Sequence, residues 1–161
     1  MELEFLPASV GRLALLRVLE VRDNRLSALP SSMSRLKDLQ RLDLGHNEFR
    51  AWPSVLGALS SLAELWVDLN ELPAVPAWFG KLQALQCVDA SNNRISAIAP
   101  EVANCGRLVD LRLSYNELSR LPYTLGRLKH LVTLKVRKNK TILFLFCFVL
   151  HCGAERLRSR G

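Results

Sequence analysis

The chain has 161 residues, of which 49% are hydrophobic and 23% charged, so it can bury a core and is not expected to be disordered over most of its length. Its net charge of +7 is unevenly spread: nine basic residues and one acid lie between Arg127 and Gly161, which leaves thirteen bases against fourteen acids before them. The main body is therefore near neutral, and the basic end lacks the interleaved aromatics that favour nucleic-acid binding.

Four cysteines, at positions 87, 105, 147 and 152, are too few and too unevenly spaced for the disulfide framework of a small secreted domain, so we expect free thiols. The N-terminus carries Glu2 and Glu4 where a secretory signal has a basic start. The longest apolar run, 142–150, has nine residues, well short of the roughly 20 that a membrane-spanning helix needs. We therefore expect a cytoplasmic protein of one domain.

Six asparagines recur with a constant step of 23 residues, and the frame L-x-x-L-x-L-x-x-N precedes each of them in the same phase. The asparagines are Asn24, Asn47, Asn70, Asn93, Asn116 and Asn139. All eighteen apolar positions of the frame hold an aliphatic residue. The period indicates six 23-residue repeats over 1–140.

The Leu-x-Leu alternation in each repeat predicts a short strand with its leucines on one side. Stacked repeats would place these strands in one parallel sheet, about 4.8 Å apart, and join the leucines into a continuous core. Each asparagine follows a strand, where its amide can satisfy backbone groups of its own turn and of the neighbouring one. We therefore interpret the asparagines as structural.

The second half of each repeat carries a Leu-Pro pair or a variant of it, followed by two apolar residues three positions apart. This spacing predicts a short helical turn on the convex side. Cys105 occupies one of these apolar positions and is interpreted as a small core residue. Gly11, Gly57, Gly80 and Gly126 share one repeat position, which we attribute to backbone turning. The fold class is therefore α/β, a leucine-rich repeat solenoid with a parallel concave sheet and short helical or irregular convex segments.

Residues 4–139 resemble the 23-residue repeats of the LAP family, the leucine-rich repeat and PDZ proteins that include Erbin, densin and Scribble. The resemblance is carried by RLDLGHNEF (41–49), ELWVDLNEL (64–72) and NCGRLVDLRLSYNEL (104–118), and by Ile98-Ala99 in place of Leu-Pro. It implies a non-catalytic scaffold or adaptor for cell polarity, cell junctions or receptor clustering, at the inner face of the basolateral or synaptic membrane. The chain departs from the family at both ends: it lacks the upstream cysteine-bearing segment and any PDZ domain, so a truncated product is expected.

Two alternatives to this function remain open: a leucine-rich repeat regulator that binds a small GTPase of the Ras pathway, and a truncated product without function of its own. For the scaffold and for the GTPase-binding regulator the partner is a protein, and peripheral membrane association is a further option. We expect no small-molecule substrate and no cofactor.

The strand residues opposite the leucines would line the concave face, the surface that solenoids usually offer to a partner. The middle of this face is acidic, and an aromatic residue there is the type of anchor that dominates binding energy. The candidate protein-binding residues are Asp43, Glu64, Trp66, Asp68, Asp89, Arg112 and Tyr115. The alternative is an ordinary solvated face on which Trp66 only packs against its neighbours. If Trp66 and its acids form the contact, Trp66→Ala and Asp68→Lys should abolish partner capture without changing thermal unfolding.

The sequence shows no catalytic triad, since His46 and His130 fall on opposite sides of the predicted solenoid. Cys147, His151 and Cys152 are too few and too crowded for a zinc site. The period ends after Lys140, and 141–161 is an apolar stretch followed by a basic end. This tail is interpreted as a cap on the open core, as a membrane attachment, or as a product of truncation.

Overall fold

A computed structural model describes residues 2–140, which fold into six turns of alternating strand and 3-10 helix. The strands are Val18–Glu20 (β1), Arg41–Asp43 (β2), Glu64–Trp66 (β3), Cys87–Asp89 (β4), Asp110–Arg112 (β5) and Thr133–Lys135 (β6). The helices are Ala8–Arg12 (η1), Ser31–Arg35 (η2), Ser54–Ala58 (η3), Ala77–Lys81 (η4), Pro100–Asn104 (η5) and Tyr123–Arg127 (η6). The tail 141–161, with Cys147, His151 and Cys152, lies outside the described residues.

The six strands form one parallel sheet in the order of the chain, β1 to β6. Each residue pairs with the residue 23 positions further on, as Leu19 pairs with Leu42 and Leu42 with Leu65. The register therefore repeats the sequence period without a slip, and the predicted parallel sheet is confirmed. No helix in the described part of the chain is long and apolar enough to cross a membrane.

The asparagine side chains connect successive repeats, as predicted. The Asn70 Nδ2 group donates to the carbonyls of Val67 and Asp68 in its own turn at 3.2 Å, and to Leu44 in the preceding repeat at 3.1 Å. Its Oδ1 accepts from the backbone N–H of Phe49 at 2.9 Å. Asn47, Asn93, Asn116 and Asn139 make the equivalent bonds, whereas Asn24 at the first turn bonds only its own turn and Leu3.

The residue before each asparagine has a left-handed backbone conformation, with φ between 51° and 57°. These residues are Asp23, His46, Leu69, Asn92, Tyr115 and Lys138. None is a glycine, although a left-handed non-glycine residue costs about 1 kcal/mol or more. In each of the six turns, the hydrogen bonds of the asparagine that follows stabilise this conformation.

The core runs the length of the solenoid between the sheet and the 3-10 helices, and it contains the predicted leucines of the inner repeats together with Cys105, which is fully buried. Leucines of the first and last repeats, such as Leu19 and Leu134, are partly buried and pack against it. Burial raises the pKa of the Cys105 thiol to about 11, and its Sγ lies 3.3 Å from the Phe79 carbonyl oxygen. The interpretation of Cys105 as a core residue is confirmed. Trp52, Trp78 and Phe79 add an aromatic cluster on the helical side, with Trp52 edge-on to Phe79 at 5.5 Å between ring centroids.

The repeated glycines do not turn the backbone through a left-handed conformation, because no glycine among the described residues has a positive φ. Gly11 and Gly80 instead lie where the next helix passes: a Cβ on either would come within 2.3 Å of a backbone oxygen, that of Ser32 or Glu101. Close packing between neighbouring 3-10 helices, rather than turning of the chain, requires glycine at these two positions.

Candidate protein-binding face of the sheet

The side chains that point away from the core form three rows across the sheet, since alternate strand residues face opposite ways. The strand-start row is Val18, Arg41, Glu64, Cys87, Asp110 and Thr133. The strand-end row is Glu20, Asp43, Trp66, Asp89, Arg112 and Lys135. The post-strand row, two positions further on, is Arg22, Gly45, Asp68, Ser91, Ser114 and Arg137. We call the three rows together the outer sheet face.

Arg22 pairs with two of the predicted acids, Asp43 and Asp68. Its Nε donates to Asp43 Oδ2 at 3.1 Å, and its two terminal nitrogens donate to the two carboxylate oxygens of Asp68, at 3.1 and 2.5 Å. The hydrogen bonds to Asp68, and then those to Asp43, raise the pKa of Arg22 further above its usual value. Arg22 therefore stays charged and fixed across three repeats.

Gly45 makes this reach possible. A Cβ at Gly45 would come within 2.2 Å of the Arg22 guanidinium, so any side chain there would displace it from Asp68. Asp43 is also bonded to this segment, since its Oδ1 accepts from the Gly45 N–H at 2.9 Å. Asp43 is 9% exposed and is a structural residue of the turn rather than an open carboxylate.

Trp66 lies half-buried in the middle of the outer sheet face, beneath a basic side chain. The Arg41 guanidinium carbon is 4.4 Å from the centre of the Trp66 ring, a cation–π distance, and Arg41 Nη2 pairs with Glu20 Oε1 at 3.0 Å. Trp66 therefore has a partner on the surface, while part of its ring remains accessible.

Arg112 pairs with Asp89 and Asp110, the acids on the other side of Trp66. It donates through Nε and Nη2 to Asp110 Oδ2, at 3.0 and 2.7 Å, and its Nη1 lies 3.6 Å from Asp89 Oδ2. The bond to Asp110 raises the pKa of Arg112. Asp89 Oδ1 also accepts from the Ser91 N–H at 3.0 Å.

Glu64 and Tyr115 differ from the other predicted residues. Glu64 is half-buried and forms no ion pair within residues 2–140. Tyr115 is 57% exposed but lies in the left-handed turn beyond the three rows. The structure thus brings Asp43, Glu64, Trp66, Asp68, Asp89 and Arg112 together on one face and places Tyr115 at its border.

Three residues that matter on this face were not among the candidate binding residues: Arg22, Arg41 and Gly45. Each lies in a row that the period defines, directly beside a predicted acid or Trp66. A search for opposite charges 21 residues apart, on diagonal positions of neighbouring repeats, would have found the Arg22–Asp43 and Arg41–Glu20 pairs. The pairing of Arg22 with Asp68, two repeats away, is harder to predict, because it depends on Gly45 between them having no side chain.

Solved structures with the same fold come from bacteria and plants. A leucine-rich repeat protein of Leptospira interrogans matches with a TM-score of 0.67 and 29% identity, over 86% of this chain and 41% of its own. The leucine-rich repeat ectodomain of the Arabidopsis thaliana receptor kinase GASSHO1/SCHENGEN3 was solved in complex with CASPARIAN STRIP INTEGRITY FACTOR 2. It matches with a TM-score of 0.76 and 29% identity, over 84% of this chain and 17% of its own. PEPR1 in complex with AtPEP1 matches with a TM-score of 0.77 and 29% identity, over 84% of this chain and 20% of its own.

The sequence matches no protein-family model and no curated protein sequence. The chain spans between 17% and 41% of the length of the three solved chains, so it corresponds to part of a longer array in each. The six-stranded parallel sheet and the short 3-10 helices agree with these matches. The chain is a leucine-rich repeat solenoid, a fold of protein-interaction modules.

Proposed function

We propose that the chain binds a protein partner on the outer sheet face, around Trp66, and acts as the interaction module of a scaffold or adaptor. The observation that carries the proposal is a half-buried tryptophan in the middle of an open sheet, among charged side chains that are already fixed by ion pairs. A preordered face loses little side-chain entropy on binding. The complexes of the GASSHO1/SCHENGEN3 ectodomain with CASPARIAN STRIP INTEGRITY FACTOR 2 and of PEPR1 with AtPEP1 support a protein partner.

The resemblance to LAP repeats supports a place for this module in cell polarity, cell junctions or receptor clustering. The corresponding location is the cytoplasmic side of the basolateral or synaptic membrane. The test is a binding assay with the purified chain as bait against purified junctional adaptor proteins and against a Ras-type GTPase loaded with GTP or GDP. Retention of an adaptor supports the scaffold role, whereas retention of the GTPase in its GTP form alone would replace it with the Ras-pathway role.

The contact itself is tested with Trp66→Ala, which removes the central aromatic side chain and should lower retention of the adaptor at least about tenfold, as expected for a binding hot spot. Tyr123→Ala is the control, because Tyr123 is an exposed aromatic on the helical side. Asp68→Lys is a poorer probe than the sequence suggested, since it would break the bonds to Arg22 and change stability. Equal retention by Trp66→Ala and the unmodified chain, with unchanged thermal unfolding, would disprove binding around Trp66.

A further inference from the structure

The two ends of the sheet leave core positions uncovered. Among residues 2–140, β1 and β6 each pair with a single strand. Leu3 and Leu13, which precede β1, are 48% and 53% exposed, whereas Leu26 and Leu36, one repeat further on, are fully buried. The apolar residues around β6 are also only partly buried: Leu131, Leu134 and Val136. Each end therefore offers an apolar surface and a strand edge that another chain can extend.

The two ends are opposite halves of one repeat. Residues 2–17 form a convex half, which contains η1 and comes before the first strand. Residues 131–139 form a strand half, with β6 and the asparagine that follows it. In the inner repeats, the strand leucines pack in the core against the apolar residues of the helical turns. The strand half of one copy and the convex half of another would together make a complete repeat.

Asn24 lacks a bond that a further strand would supply. Asn47 donates to the Val21 carbonyl, 26 positions before it, at 3.0 Å, and the later asparagines do the same. Within the described residues, Asn24 donates only to carbonyls of its own turn. If the period continues across the end of the sheet, the residue 26 positions before Asn24 is Val136 of another copy.

The backbone of β1 has the same relation to a further strand. The N–H groups of Gln40 and Arg41 both donate to the Arg17 carbonyl, at 2.8 and 3.0 Å. One repeat earlier, the N–H groups of Arg17 and Val18 point to the free edge of the sheet. The acceptor that the period places there is the Val132 carbonyl of another copy.

The charges at the two ends are opposite. The exposed Lys135 and Lys138 at the β6 end would lie beside Glu20 and Asp23 at the β1 end, one repeat apart in the register of the inner strands. Side chains at the position of Asp23 do meet between neighbouring repeats, because His46 Nδ1 lies 2.6 Å from Asp23 Oδ1. The ends are therefore complementary to each other, whereas two β1 ends or two β6 ends would repel.

Arg137 adds to this complementarity. Arg22 reaches Asp43 in the next repeat, with 3.1 Å between Nε and Oδ2. Arg137 of an added copy has the same relation to Glu20. It would also lie beside Arg22, but the charge of Arg22 is already balanced by its two carboxylate partners.

We propose that the chain stacks head to tail on a second copy of itself, so that the two six-stranded sheets join into one. Thr133, Leu134 and Lys135 of the added copy pair with Val18, Leu19 and Glu20 of the receiving copy, in the parallel register that β5 and β6 show. The added chain leaves the stack after Asn139, because residue 140 and Glu2 hold the same repeat position. The joint does not involve Trp66, so it is independent of the proposed function and extends the outer sheet face over both copies.

The experiment is sedimentation velocity of the full chain at about 1–100 µM. We expect the mean sedimentation coefficient to rise with concentration past that of a dimer, since a head-to-tail contact leaves one free end on each side. A chain that stays monomeric over this range would overturn the proposal. Trp66→Ala should associate like the unmodified chain, which separates this test from that of the proposed function.

Two variants exchange the charges of the ends: Glu20→Lys with Asp23→Lys, and Lys135→Glu with Lys138→Asp. Each new residue already occupies the same repeat position at the other end, including the left-handed turn positions 23 and 138. Each variant alone should associate at least about tenfold more weakly, because its two ends then carry the same charge. An equal mixture of the two should regain the association, since opposite charges face each other again.

The control variant is Glu48→Lys with Glu101→Lys, which reverses two exposed acids on inner repeats and should leave the association unchanged. If only one of the two end variants is weakened, the copies meet through like ends and the head-to-tail joint is wrong. If neither is weakened, or if the mixture associates no better than its components, the ends of the sheet do not form the contact.

Discussion

At the residue scale, one side chain type holds the repeats together. An asparagine amide both donates and accepts, so Asn70 satisfies carbonyls in two successive repeats while its oxygen receives a backbone N–H from the earlier one. Aspartate would lack the donor and leucine would lack both. The strict recurrence of asparagine follows from this requirement, because the backbone groups of a tight left-handed turn have no strand to pair with.

Asn70→Ala should therefore be destabilising, by about 1–3 kcal/mol, since it leaves the buried Phe49 N–H unpaired and removes one of the two asparagine donors from each of the Leu44 and Val67 carbonyls. Asn24→Ala should cost less, because Asn24 lies at the first turn and makes no bond to a carbonyl of an earlier repeat. Urea unfolding of both variants measures the difference. Equal losses would show that the bonds between repeats contribute nothing beyond those within a turn.

The asparagine ladder was predictable from the sequence because a fixed step places identical residues in identical surroundings. The pairing of Arg22 with Asp68 was not, because it joins residues 46 positions apart and depends on the missing side chain of Gly45. The acidic character expected around Trp66 was also altered by this network. Composition counts charges, whereas the pairing of each charge depends on how far its side chain extends over the sheet.

At the element scale, six one-turn 3-10 helices pack side by side, and glycine is required at two of the contacts between them, at Gly11 and Gly80. Gly80 lets η4 approach η5 until only a hydrogen fits, whereas Gly57 in η3 faces the ring of Trp78. The helical turns and the strands were predictable from apolar spacing. The role of the glycines was not, because spacing does not report the distance between neighbouring elements.

Gly80→Ala should destabilise the fold by about 1–3 kcal/mol, the usual cost of overpacking, because its Cβ would meet the Glu101 backbone oxygen at 2.3 Å. Gly57→Ala is the matched change at the same repeat position. Its Cβ would meet Cε3 of Trp78 at 3.2 Å, and a side chain can shift by the small amount required. Thermal unfolding should thus rank Gly57→Ala near the unmodified chain and Gly80→Ala well below it; the reverse order would exclude close helix packing as the reason for glycine.

At the scale of the whole molecule, stability comes from the stacking of each repeat on its neighbours. Leu42, Leu65 and Val88, in the middle of the solenoid, are at most 1% exposed, whereas Leu19 and Leu134, in the first and last strands, are only half-buried within the described residues. The architecture could be predicted because one period determines strand, turn and register together. The partner could not, since the outer sheet face differs from repeat to repeat and no period describes it.

A period of 23 residues predicts that a whole repeat can be removed at less cost than a piece one residue shorter. Deletion of 93–115 joins Asn92 to Asn116, which then occupies the turn position of Asn93. Asn116 can take over the bonds that Asn93 makes to the Leu72 N–H and the Val67 carbonyl. This variant should unfold in one transition at a lower urea concentration than the full chain, because one stacking interface is lost.

Deletion of 93–114 keeps one more residue but places Tyr115 in the turn position of Asn93, so the Leu72 N–H loses its partner and the Val67 carbonyl keeps only the bond from Asn70. Each buried group left unpaired costs about 1–3 kcal/mol, which exceeds what one retained exposed residue can contribute. The 22-residue deletion should therefore have the lower urea midpoint of the two. A higher midpoint for it would mean that the turns tolerate a shift of register, and the asparagine ladder would then not be what sets the length of the repeat.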